Sequence, residues 1–436
     1  MKDLKRSIVH ERIRLIALIL FSGSLPYGIL LVNNIAIYLL ALNWIFESSL
    51  LTKWQRLKCN PLAFIFMQLF FLYLIGLSYS NNLHQGFFEI EKKLNLLFLP
   101  LILATTNSIS KNDVRTILKS FILFTAIATV ICFSYAVFLN YKEGHTLSYV
   151  YNAVLFDKHL PDRYYYFNYW YFTYELFAKP IHMHPVYFAM YIVFSSCLSI
   201  WLWWDMSGVR KRKNALVALF LIYNFITIIL LASRTQLAIV LLFGTAFILY
   251  RSYLKKRILL GVISMVLIYT MGLAFILLNP VSKERFIDSN KPGAHFSENK
   301  YGEGGLSLRM YKWKYTLEAI AESPLVGTGT GDSQDQLQAV YNKNNFKIGY
   351  DFKFNAHNQF LQVTLELGII GFISFFVSLF LPGYFAVKNK ELIYLTFLIL
   401  FFISCLTESM LEVNKGIAFF AFFNSLFAFQ FPGQKK

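Results

Sequence analysis

The 436-residue chain is short of charge. Asp, Glu, Lys and Arg make up only 15% of it, against roughly a quarter in a soluble domain. Hydrophobic residues reach 56% and the mean hydropathy is +0.49, which excludes an ordinary soluble globule. Cysteine is scarce as well. Cys59, Cys132, Cys197 and Cys405 lie in or beside apolar runs, show no metal spacing and read as small apolar residues. The chain has no Walker loop, no HExxH, no CxxC and no dinucleotide fingerprint. No DxD-like pair precedes a strand pattern, so a metal-dependent transferase using nucleotide sugars is not indicated. No internal repeat is evident, and neither a cofactor nor a metal site is expected.

What the chain has in abundance is long apolar runs. They fall at 13–31, 33–46, 61–78, 94–106, 115–139, 183–204, 214–231, 235–250, 257–279, 358–387, 391–408 and 415–430. The expected fold is therefore an all-α integral membrane protein of about 12 transmembrane helices, with the lipid bilayer as a partner. Lys and Arg precede the first run and no small-residue cleavage site follows it, so a retained helix is expected.

Basic residues crowd the N-terminal tail, the loops near 53–58, 111–119, 210–213, 251–257 and 388–390, and the tail Lys435-Lys436. The short opposite segments hold Lys92, Lys93, Arg234 and Lys415. The positive-inside rule then places both termini in the cytoplasm. The net charge of +17 is mostly this topology signal, and no nucleic-acid partner is needed to account for it. The expected organisation is helices over 1–139, an aromatic-rich outer loop over 140–182, central helices over 183–279, a second outer loop over 280–356 and C-terminal helices over 357–436. Connectors as long as these two loops carry structure and function of their own. The run Tyr164 to Phe172 in the first suits the interfacial belt.

Two residues stand where a membrane protein normally has neither. Arg234 lies in a tight hairpin between two apolar runs, and His357 lies at the mouth of another. A charge at bilayer depth costs several kcal/mol and by default marks function. The topology puts both on the outer face. Asn355 as N-cap would place His357 in a helix's first turn, where the dipole favours the neutral imidazole that a general base requires.

The second loop adds more. Ser307 is expected to cap a helix that carries Arg309 and Trp313 on one face and stops at Ser323-Pro324. In the run Pro324 to Asp332, Gly327, Gly329 and Gly331 allow close backbone approach, read first as a turn and second as a phosphate contact. Asp332 is expected to cap the next helix. His182 and His184 open the helix at 183 on the same face; no carboxylate completes a ligand set, so no metal is expected there.

Together these motifs resemble the O-antigen ligase and polymerase superfamily of bacterial envelope glycosyltransferases. The resemblance rests on Ser233-Arg234, Arg309-x-x-x-Trp313, Pro324-Leu325-x-Gly327-x-Gly329-x-Gly331, His357-Asn358-x-x-Leu361 with Gly368-x-x-Gly371, and His184-Pro185-Val186-Tyr187. It covers roughly residues 180 to 390. It implies transfer of a glycan from undecaprenyl diphosphate to a sugar hydroxyl of lipid A-core, or of another lipid-linked glycan in a polymerase, at the outer face of the inner membrane. It further implies that Arg234 and Arg309, with Arg285 a weaker candidate, hold the diphosphate. His357 is then the base, Asn358 orients it or the substrate, and His184, Trp313 and the three glycines contact the acceptor or shape the loop.

The residues suit that chemistry. Guanidiniums can hold diphosphate oxygens bidentately and stabilise leaving-group charge in place of a metal. The absence of a paired nucleophilic carboxylate motif points to direct, inverting attack. A transporter is the alternative from another class. Carriers, however, place polar residues near the midplane of two repeated halves, and here they cluster in one outer loop.

Overall fold

A computed structural model of the chain describes residues 2–142, 169–205, 211–279, 282–283, 286 and 306–430. Among these there is no strand, and each of the twelve expected spans overlaps a helix. Among the described residues, six helices are long and apolar enough to cross a membrane: α2 (Leu30–Glu47), α7 (Lys111–Lys142), α9 (Pro185–Asp205), α11 (Arg234–Leu254), α12 (Ile258–Leu278) and α16 (Gln359–Lys388). A seventh span is possible if α3 (Leu50–Lys58) and α4 (Pro61–Leu77), bent by 98° at the intervening break, count as one. The apolar stretch of α10 (Lys211–Leu230) and the whole of α17 (Leu392–Cys405) are shorter. The sequence pattern did not separate α3, or the amphipathic α5 (Leu83–Lys93), from the loops.

The chain divides into two compact units. Unit 1 comprises Met1–Leu25, Leu30–Phe121 and Leu306–Lys436; unit 2 comprises Pro26–Ile29 and Ile122–Gly305. In unit 1, α1 (Lys2–Ser24) pairs with α2 through Arg14 Nη1 and Glu47 Oε1 at 2.6 Å. The core is built on α18 (Asn414–Gln430), which is apolar and buried almost all round. It packs against α6 (Asn95–Thr105) and interleaves phenylalanines with its neighbours. Phe423 meets Phe121 edge-on at 5.0 Å, Phe420 stacks on Phe401 at 4.5 Å and Phe422 meets Phe21 at 4.9 Å. Each such pair contributes about 0.5–1.5 kcal/mol beyond area burial.

The longest helix of this unit, α16, is broken. Gly368 adopts φ +63° and ψ −160° inside it, which frees backbone groups that must find partners elsewhere. The glycine run that follows α13 (Leu306–Glu322) supplies them. Thr328 N donates to Leu365 O (2.8 Å), Gly329 N to Glu366 O (3.0 Å) and Ile369 N to Pro324 O (2.9 Å). Only glycine permits this approach: a Cβ on Gly368 would lie 2.2 Å from Leu325 O, and one on Gly327, at φ +72°, 2.5 Å from Glu366 O.

Unit 2 holds the rest of α7, the short α8 (Tyr174–Ala178) and α9 to α12. Most of the expected aromatic run falls outside the described residues; its end, Tyr169–Phe172, forms a 3₁₀ turn.

Candidate functional site

His357 sits in a turn laced to a distant segment. Asn355 does not cap α16, as the sequence suggested. Its Oδ1 instead accepts from His357 N (3.0 Å), an Asx turn that carries His357 to φ +44°. Asn358 is the cap: its Oδ1 accepts from Phe360 N and Leu361 N. The imidazole therefore precedes the helix and is not part of its first turn. Asn358 Nδ2 donates to Leu406 O (3.2 Å), Leu411 N to Gln359 Oε1 (2.6 Å) and Ser409 Oγ to Asn355 Oδ1 (3.4 Å). These bonds hold residues 406–411 against the turn.

Glu408 arrives on that segment. Its Oε2 lies 2.9 Å from His357 Nδ1, and its Oε1 lies 3.2 Å from Arg309 Nη2. A carboxylate only accepts, so Nδ1 carries the donated proton and Nε2 is left as the basic nitrogen. Sequence reading missed Glu408. The available signal was an acid inside Thr407-Glu408-Ser409, interrupting the apolar series at the end of the run 391–408.

Arg309 projects from α13. As described, this helix runs from Leu306, so Ser307 lies within it and not before it, as a capping residue would. Leu308, Tyr315 and Ala319 bury one side, with Tyr315 and Ala319 packed on Leu337, Val340 and Tyr341 of α14 (Ser333–Lys343). Lys312, one turn on from Arg309, is buried, with its ammonium 3.6 Å from the Phe354 ring centre. Burial, reinforced by Arg309 and partly offset by Glu408, lowers its pKa to about 7. The Trp313 indole Nε1 is buried without a hydrogen-bond partner.

Further polar groups fix the segment that carries Glu408. Lys93 Nζ lies 3.0 Å from Glu89 Oε2 and 3.4 Å from Glu412 Oε1, and Lys92 pairs with Glu89 at 2.6 Å. Tyr73 Oη and Gln362 Nε2 both donate to Glu366. Burial, with the Glu366 charge beside it, pushes the Glu412 carboxyl up to about 8. Asp332 occupies the N-cap position of α14 but does not bond there. Its carboxylate accepts from the backbone N–H groups of Asn81 and Asn82, at 2.7 Å each. Gly331 N donates to Ser80 Oγ (3.0 Å) and Thr330 Oγ1 to Tyr73 O (2.6 Å). The amides of Thr328, Gly329 and Gly331 are thus spent on the protein, which favours the turn reading of the run over the phosphate one.

Of the expected residues, the structure joins His357 to Arg309 through Glu408; Asn358, Trp313, Gly327, Gly329 and Gly331 lie in the same unit. Arg234 and His184 belong to unit 2. Arg234 is the half-buried first residue of α11, following Ala232 at φ +50°. His184 precedes α9, its Nδ1 accepting from Val186 N (3.4 Å) and its ring edge-on to Tyr174 and Tyr187. Arg285 lies outside the described residues. No group of three or more metal-ligating side chains occurs among the described residues.

An interrupted helix braced by a glycine run, and a His–Glu–Arg chain at its mouth, can now be set beside known proteins. Residues 216–376 match the O-antigen ligase family model. That stretch contains Arg234, Arg309, the glycine run and His357, and it agrees with the resemblance read from the motifs. A Rickettsia conorii protein named "Putative polysaccharide ligase" is 28% identical over 206 residues, covering 43% of this chain and 44% of that protein. A Haemophilus influenzae protein described as uncharacterized is 26% identical over 150 residues, covering 34% of this chain and 36% of that protein. The chain thus aligns with less than half the length of either relative.

Proposed function

We propose that the chain is a metal-independent ligase. It moves a glycan from undecaprenyl diphosphate to a sugar hydroxyl of lipid A-core at the outer face of the bacterial inner membrane. The observation that carries this reading is the His357–Glu408–Arg309 chain, which couples a base to a guanidinium through one carboxylate. Glu408 fixes the imidazole tautomer and stabilises the imidazolium that forms. Nε2 takes the acceptor hydroxyl proton, the acceptor oxygen attacks the anomeric carbon, and the bond to the diphosphate oxygen breaks. The electron pair leaves with undecaprenyl diphosphate, and the anomeric configuration inverts. Arg309 spends one N–H on Glu408 and turns the rest of its fork to the diphosphate. Arg234, from the family resemblance, is the second anion ligand. Asn358 acts by holding the turn. In this reading the chain crosses the membrane twelve times, with both termini cytoplasmic and residues 140–182 and 280–356 outside.

The test is transfer in vitro. Purified protein, undecaprenyl-diphosphate-linked O-glycan and lipid A-core are incubated with chelator. Capped lipid A-core should form with the wild-type protein and not with His357→Ala. In a deletion strain, uncapped lipid A-core with accumulated long lipid-linked chains is the expected result. Capping by a single repeat unit would identify a polymerase and overturn the ligase reading.

A further inference from the structure

The turn leading into His357 has a feature that the proposed chemistry leaves unused. The short helix α15 (Lys347–Asp351) closes in a Schellman motif. Lys353, at φ +48°, donates its N–H to Tyr350 O (3.2 Å), and Phe354 donates to Gly349 O (3.1 Å). Tyr341 Oη then donates to Phe354 O (3.2 Å). The backbone from 349 to 354 is therefore set before any ligand arrives.

Rings run outward from the base along this turn. Phe354 meets His357 edge-on at 6.0 Å, and Phe352 stacks on Phe354 at 5.7 Å with 14° between the planes. The motif asks for an apolar residue at Phe354, not at Phe352. Yet Phe352 keeps 50% of its surface exposed and Tyr350 47%. The exposed charges on this stretch are Lys347 and Lys353 against Asp351.

We propose that Tyr350 and Phe352 form an acceptor subsite. A pyranose ring stacks its C–H face on Phe352, two ring-to-ring steps from His357, and Lys347 and Lys353 receive a phosphate or carboxylate carried by that sugar. The electron-rich ring face attracts polarised C–H groups, the lysines act as point charges toward the anion, and the preset turn lowers the ordering cost of binding. This inference rests on the transfer reading above and names where its acceptor lies.

The probe is phosphorylated core oligosaccharide freed of lipid chains, titrated calorimetrically into the full-length protein in detergent, without donor. Wild type should bind it. Phe352→Leu and Phe352→Ala should weaken binding about tenfold, and Phe352→Trp should retain it. Dephosphorylated probe should bind more weakly, and Lys347→Gln/Lys353→Gln should abolish that difference. Affinity for undecaprenyl diphosphate should stay the same in every variant. Wild-type binding by Phe352→Leu would show only an apolar or lipid-facing contact and would overturn the subsite. So would a wild-type protein that transfers glycan but shows no Phe352-dependent binding of the probe. Phe352-dependent binding in a protein that performs no transfer would instead sink the transfer reading and leave the subsite standing.

Discussion

Glu408 and His357 are 51 residues apart in sequence and meet at 2.9 Å. The carboxylate reaches Nδ1 because residues 406–411 are hydrogen-bonded to the turn that carries the imidazole. The pair is thus a property of the folded backbone, and a conservative change at Glu408 tests it.

Glu408→Gln keeps the side chain's size but removes the charge and offers Nδ1 an amide that can also donate. The imidazole can then adopt the tautomer with Nε2 protonated, which cannot act as a base. Turnover at saturating donor should fall by roughly 10²–10⁴-fold; Arg309 loses its charged partner as well, so donor affinity is measured separately. A rate near wild type in steady-state assays at saturating donor would remove Glu408 from the chemistry.

Arg234→Lys should be nearly as damaging as Arg234→Ala, because a point charge does not replace a planar fork at a bidentate diphosphate site. Each variant should lose on the order of 2–4 kcal/mol of transition-state stabilisation. The measurement is kcat/KM at matched membrane levels. Full activity in the Ala variant would mean the guanidinium serves the membrane interface instead.

Lys312 predicts a pH-dependent stability. Its pKa is about 7 in the folded protein against 10.5 unfolded. Between those values the unfolded chain holds a proton that the folded chain has released, so this group's contribution to stability rises with pH through the window. Below it the folded protein carries a buried charge at a cost. Lys312→Met should therefore raise the melting temperature at pH 6, with the gain fading as pH approaches 10. Scanning fluorimetry in detergent reads this directly, and a gain that grows with pH would contradict the assignment.

Gly368→Ala places a Cβ 2.2 Å from Leu325 O at φ +63°. Strain and overpacking together should cost about 2–4 kcal/mol, seen as a lower melting temperature and a reduced membrane level. Gly244→Ala is the control: its Cβ would meet nothing within 4 Å, and it lies inside α11, so a neutral or slightly raised melting temperature is expected.

The helices were legible because apolar runs bounded by basic loops are a one-dimensional signal. Ser233-Arg234, Arg309 and His357 stood out for the same reason, as local exceptions to local patterns. Glu408 did not, since nothing near it in sequence refers to His357. Asn355 and Asn358 are both competent caps three residues apart; which one caps was decided by the bonds to residues 406–411. The break at Gly368 was hidden inside an unbroken apolar stretch, because composition records hydropathy and not the sign of φ. The role of Asp332 was misread because local capping rules cannot anticipate two backbone amides supplied by residues 81 and 82.

That last contact has a genetic consequence. Asp332, Thr330 and Gly331 are anchored by Asn81, Asn82, Tyr73 and Ser80, all of them outside the stretch that matches the family. A random-mutagenesis screen for lost activity should return a cluster at 73–82 alongside Arg309 and His357. Second-site suppressors of substitutions at Asn82 should map to the glycine run, some 250 residues away in the chain.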